Sequence, residues 1–118
     1  MPDLVSRLLD LTVELQQIPA PTFHEGPRAE FVRLLFEREG LADVGLDEVG
    51  NVYARRVADE GRMTKDQKRP VIVTAHLDTV FPPSVDLTIR REEERISGPG
   101  IGDNCAGVAG LFGLSWAL

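Results

Sequence analysis

The sequence predicts an α/β fold with helices on both faces of a mixed sheet, and three observations carry that prediction. Apolar residues recur at helical spacing over Asp3–Gln17 and again from Pro27 to Gly40. A continuous β-branched run, Val71-Ile-Val-Thr-Ala75, reads as a strand covered on both faces, the candidate centre of the sheet. The stretch from Asn104 to Leu118 is apolar enough to be a buried helix.

In the first element Leu4, Leu8, Leu11 and Leu15 form a stripe widened by Val5 and Leu9, and Ile18-Pro-Ala-Pro21 stops it. The second helix begins near Pro27, a residue suited to a first turn, and is expected to pack Phe31, Val32, Leu34 and Leu35. Gly40 can take the left-handed conformation that closes it, with Leu41 folding back. Val44 and Leu46 on one side of Gly50-Asn51, and Val52 and Ala54 on the other, predict a hairpin with a two-residue turn. Arg55 to Arg69 is charged and reads as an exposed connection. Val85, Leu87 and Ile89 alternate before Arg90-Arg-Glu-Glu-Glu-Arg95, which predicts a second hairpin with a charged, solvated tip.

With 118 residues, 42% hydrophobic and 27% charged, the chain has the composition of one globular domain. Thirteen Lys and Arg against nineteen Asp and Glu leave a net charge of -6, which repels a phosphate backbone, so nucleic acid is not an expected partner. No secretory signal is visible after Met1, and no apolar run approaches the roughly 20 residues that span a bilayer. The single cysteine, Cys105, cannot form an internal disulfide and suits a reducing compartment, so a cytoplasmic location without membrane association is expected.

Two short motifs could carry chemistry. His76 and Asp78 follow the apolar run two positions apart, on one face and at the carboxyl end of the expected strand, where open α/β sheets bind ligands. A neutral imidazole is a common zinc ligand, and a carboxylate beside it can fix its tautomer. A structural histidine followed by a turn-forming aspartate has the same wording. Gly98-Pro-Gly-Ile-Gly-Asp-Asn-Cys-Ala-Gly107 delivers Asp103 to the start of the last helix, where a carboxylate can either bridge two cations or cap the helix. A dinucleotide-binding loop is excluded, since Gly-x-Gly-x-x-Gly read from Gly98 or Gly100 meets Asp103 or Cys105 at its third glycine. His24 reads as a surface histidine and Cys105 as a small packing residue.

In order and separation these elements resemble the di-zinc exopeptidase and amidohydrolase family that includes peptidase T, carboxypeptidase G, aminoacylase and succinyl-diaminopimelate desuccinylase. The resemblance runs through Ile18-Pro-Ala-Pro-Thr-Phe-His-Glu25 and Asp47-Glu-Val-Gly-Asn-Val52, and peaks at Thr74-Ala-His-Leu-Asp-Thr-Val80 and Gly98-Pro-Gly-Ile-Gly-Asp-Asn104. The wording is closest to tripeptidase-like members. It implies a three-layer α/β/α catalytic domain holding two zinc ions, with cobalt or manganese as substitutes. His76 then matches a histidine that binds one zinc, Asp103 the aspartate that bridges both, and Asp78 the catalytic aspartate that supports the histidine. The resemblance also implies a cis peptide at Asp103-Asn104.

The glutamate that shuttles the proton and the remaining ligands stand beyond the bridging aspartate in such proteins; Glu92, Glu93 and Glu94 precede it and do not qualify. The last helix meets Leu118 without a capping glycine, a polar tail or a following strand. Residues 1–118 are therefore read as the N-terminal portion of one catalytic domain, without the lid/dimerisation domain or the C-terminal half and inactive alone. The expected activity of the whole is that of a di- or tripeptidase acting on short peptides. An amidohydrolase acting on N-acyl amino acids and a non-catalytic binding module remain as alternatives. A homodimer is expected of the full-length protein, and self-association of the portion, whose sheet edge would lie open.

Overall fold

A computed structural model describes residues 3–57 and 70–118. Among these residues are three α-helices, α1 (Leu4–Gln16), α2 (Gly26–Arg38) and α3 (Ala106–Ala117), with two antiparallel hairpins between α2 and α3 in chain order. The first pairs β1 (Ala42–Leu46) with β2 (Val52–Arg55), and the second pairs β3 (Arg90–Arg91) with β4 (Ile96–Ser97). The protein is thus α/β, with helices beside small antiparallel sheets. Most of the expected charged connection, residues 58–69, lies outside the described residues. Among the described residues no helix is long and apolar enough to cross a membrane.

α1 starts where the Asp3 carboxylate accepts a hydrogen bond from the Ser6 amide at 2.7 Å, satisfying one of the donors a helix N-terminus leaves free. Its buried side is Leu11, Thr12, Leu15 and Gln16, while Leu4, Val5 and Leu9 stay exposed. The apolar stripe therefore works from Leu8 onward, where α3 packs on it. α2 carries Pro27 in its first turn and ends before Gly40, whose φ of 75° is the expected left-handed closure. Val32 and Phe36, four apart, face inward together; Leu34 lies between them on the opposite side and is exposed, contrary to expectation.

The core joins Leu11 and Leu15 of α1, Val32 and Phe36 of α2, and Cys105, Val108, Ala109 and Phe112 at and within α3. Phe36 and Phe112 meet with ring centroids 4.8 Å apart in a tilted arrangement. Trp116 extends the aromatic row, and the Arg7 guanidinium lies 3.8 Å from its ring centroid. Burial of Cys105 in this core pushes its thiol above the usual range, so it packs as a small inert side chain.

The first hairpin forms as the alternation predicts, with Leu46 opposite Val52 and Gly45 opposite Tyr53. Its turn is longer than the two residues expected. The Asp47 carboxylate accepts from the amides of Val49 and Asn51 and from the Asn51 side chain, at 3.0, 2.9 and 2.8 Å, so one aspartate organises five residues. These bonds, the Asn51 side chain first, hold the Asp47 carboxyl below the usual carboxylate range. The second hairpin is confined to two pairs, and its tip is the anticipated charged turn, with Glu92 between Arg90 and Arg95. The alternating Val85, Leu87 and Ile89 do not extend it, because the Leu87 carbonyl is taken by the side-chain amides of Gln16 and Gln17 at 3.2 and 2.8 Å.

The central strand expected at residues 71–75 does not form, and Val71 and Ile72 are 87% and 83% exposed. A two-face-covered strand needs hydrogen-bonded neighbours and helices above and below. Among the described residues this segment meets only one parallel bridge, Pro21 with Thr79, at its end. The β-branched run records a preference for sheet but supplies no partner.

Two outcomes follow from this packing. Phe112→Ala removes a fully buried ring at the meeting of all three helices and should cost about 3–5 kcal/mol in denaturant unfolding. Because the folded-state pKa of Asp47 is depressed, its stabilisation of the turn is fully present above the ordinary aspartate pKa and is lost as pH falls through the lowered value. The protection of the Val49 and Asn51 amides, taken relative to their intrinsic exchange rates, should fall over that acid interval, and Asp47→Asn should flatten the dependence.

Candidate metal centre

His76, Asp78 and Asp103 meet in space although a sequence gap of 25 residues separates the last two. The His76 ring sits between the two carboxylates. Its Nδ1 lies 3.2 Å from Asp78 Oδ1 and 3.0 Å from the Asp78 carbonyl oxygen, and its Nε2 lies 2.9 Å from Asp103 Oδ1. Asp103 is the most open of the three, with 79% of its side chain exposed.

Each is delivered by a different device. The 76–78 segment, lacking a ladder, is held by Arg28 of α2, a buried residue only 3% exposed. The Arg28 guanidinium donates to the Leu77 carbonyl at 2.7 Å and, through Nε and its second terminal nitrogen, to the Ile18 carbonyl at 3.0 and 2.6 Å. The Thr79 amide adds a bond to the Ala20 carbonyl at 2.8 Å, and the Thr22 hydroxyl donates to Asp78 Oδ2 at 2.7 Å. That hydroxyl first, and the neighbouring His76 second, hold the Asp78 carboxyl below its ordinary range despite partial desolvation. Burial lowers the Arg28 pKa in turn, without depriving the guanidinium of its proton.

Asp103 arrives through the glycine-rich loop. Fully buried Gln16 grips that loop, its amide donating to the Pro99 carbonyl at 3.0 Å. Gly100 turns with φ 74° beside Thr79, and a Cβ there would stand 3.1 Å from the Thr79 hydroxyl, so both conformation and proximity call for glycine. A widened helical turn, Ile101–Cys105, precedes α3, and within it Asp103 and Asn104 leave helical geometry. The Asp103-Asn104 peptide is cis, as expected. Asp103 does not cap α3, which starts three residues later with no side-chain cap. Of the two readings open at Asp103, capping is thereby set aside.

Chemically, a neutral ring that donates its Nδ1 proton to Asp78 presents a lone pair at Nε2, and that lone pair faces a carboxylate oxygen at 2.9 Å. Two electron pairs so placed require a proton or a cation between them. One imidazole nitrogen and one carboxylate form a borderline, zinc-compatible but incomplete donor set. Among the described residues no group of three or more His, Cys, Asp and Glu could hold a metal ion, since Asp78 lies on the far side of the ring.

The chain belongs to peptidase family M28, a zinc exopeptidase-type family whose model matches residues 51–118 and so takes in both motifs. It is also similar to the cytosol non-specific dipeptidase of Escherichia coli (strain K12), with 34% identity over 73 residues. That stretch is 62% of this chain and 14% of the dipeptidase, so the chain spans a small part of that relative's length.

Of the site residues predicted, all three come together. The sequence alone does not point to Arg28, Gln16 and Thr22: Arg28 is one of three arginines in α2, and Gln16 is followed by a second glutamine. His24 is exposed, as expected. Arg28→Met should leave the Ile18 and Leu77 carbonyls without their donor and cost about 1–3 kcal/mol in denaturant unfolding. Arg28→Lys should recover little, because one ammonium cannot reproduce a forked guanidinium.

Proposed function

We propose that this chain contributes the first part of the metal site of a zinc-dependent peptidase acting on short peptides. The observation that carries the reading is the His76 ring between two carboxylates, with Nε2 2.9 Å from Asp103 and Nδ1 3.2 Å from Asp78. Membership of peptidase family M28 and the similarity to a dipeptidase support the reaction class. A three-layer α/β/α catalytic domain, of which residues 1–118 form a portion, belongs to the same proposal, as does a cytoplasmic location.

In this reading His76 Nε2 and the Asp103 carboxylate would hold zinc. When bound, zinc supplies polarisation of the scissile carbonyl and a lowered pKa for an attacking water. Asp78 accepts the Nδ1 proton of His76, keeps the ring in the tautomer with a free Nε2 and raises its basicity. The exposed Asp103 side chain leaves its outer face to solvent and substrate. No residue of the chain matches the glutamate that would shuttle the proton, or the later ligands, so the 118-residue chain alone is proposed to be inactive.

Zinc titration against a competing chelator tests the assignment. The chain should bind more weakly than about 1 μM, since a filled site uses three or four protein ligands. His76→Ala and Asp103→Asn should each abolish that binding, and lowering the pH should weaken it as protons compete for the same donors. Binding indifferent to both substitutions would remove the ligand assignment; dipeptide hydrolysis by the chain alone would remove the partial-site reading.

A further inference from the structure

The loop between α1 and α2 contributes one side chain to the centre that none of the motifs assigns a role. Asp78 has two carboxylate oxygens, and both are occupied: Oδ1 faces His76 Nδ1 at 3.2 Å, while Oδ2 accepts the Thr22 hydroxyl at 2.7 Å. A carboxylate held at one oxygen can swing about its side-chain torsion, but one held at both cannot without losing a bond. With 37% of its side chain exposed, Asp78 has room to swing toward water, so packing alone does not hold it.

Thr22 itself is firmly presented. Ile18 is gripped by Arg28, the Ala20 carbonyl takes the Thr79 amide, and Pro21 forms the parallel bridge with Thr79. The His24 amide then closes a turn onto the Pro21 carbonyl at 2.8 Å, with Phe23 at a φ of 71°. Anchors lie on both sides of Thr22, and two of them reach the same 77–79 segment that carries Asp78.

We infer that Thr22 is a positioning residue of the centre: its hydroxyl locks the Asp78 carboxylate, which shares the His76 Nδ1 with the Asp78 carbonyl at 3.2 and 3.0 Å and so helps to orient the ring. The effect on metal rests on reading His76 as a ligand; the effect on the His76 ring does not. A threonine serving only the loop would leave the ring untouched, because the backbone anchors of the loop do not involve its hydroxyl.

The test uses the 118-residue chain with Thr22→Val, Thr22→Ala and Thr22→Ser, and Asp78→Ala as the reference for a ring that keeps the residue-78 carbonyl but has lost the carboxylate. Nitrogen chemical shifts of the His76 ring, recorded without metal, should move toward those of Asp78→Ala in both hydroxyl-free variants and stay at wild-type values in Thr22→Ser. Zinc affinity, measured with zinc alone against a chelator, should fall about 10-fold in the hydroxyl-free variants and recover in Thr22→Ser. Ring signals unchanged in Thr22→Val and Thr22→Ala overturn the inference. Ring signals that move while zinc affinity stays constant uphold Thr22 as the lock and overturn the reading of His76 as a ligand.

Discussion

The arrangement depends most on the buried guanidinium of Arg28. Burying a charge is costly unless its donors are satisfied, and Arg28 meets that requirement with two backbone carbonyls from different parts of the chain, Ile18 and Leu77. The requirement works in both directions. The arginine needs the carbonyls, and the two segments, neither in a strand or helix, need the arginine to stay side by side. The distances among Thr22, His76 and Asp78 follow, because Ile18 leads into Thr22 and Leu77 lies between His76 and Asp78.

A second polar side chain plays the same part for the other half. Gln16, fully buried at the end of α1, ties the Leu87 and Pro99 carbonyls and so fixes where the glycine-rich loop begins. The two anchors sit at facing ends of consecutive helices, and the three-helix core holds those ends in place. Phe36 against Phe112 is thus connected to the chemistry through α2 to Arg28, and through α3 to the turn that carries Asp103. An incomplete donor set, one ring between two carboxylates, is the product of this scaffold, and its electron pairs call for a positive charge.

Much of this was legible in the residues. Periodicity located α1, Pro27 and Gly40 bounded α2, apolar composition marked α3, and the Gly50-Asn51 signal located the first hairpin, because all depend on residues within a few positions of one another. Asp47 lengthened the turn beyond the expected two residues by bonding locally, a detail that composition of the dipeptide alone does not carry. The β-branched run at Val71–Ala75 misled for the converse reason: its preference is local, whereas a covered strand needs partners whose positions no local pattern records. Leu34 failed similarly, since an apolar residue in a helix is buried only if its face is.

His76, Asp78 and Asp103 were chosen by motif and resemblance, and the sequence by itself determined their identities, their order and the glycines that let the backbone turn beside them. Only the tertiary structure decided that Asp103 faces His76 instead of capping α3, and that Thr22, Arg28 and Gln16 belong to the same centre. The contacts of Arg28 and Gln16 join residues up to 83 positions apart and rest on buried side chains meeting backbone carbonyls, which every residue carries alike. A carbonyl leaves no mark in the sequence to show which side chain will reach it.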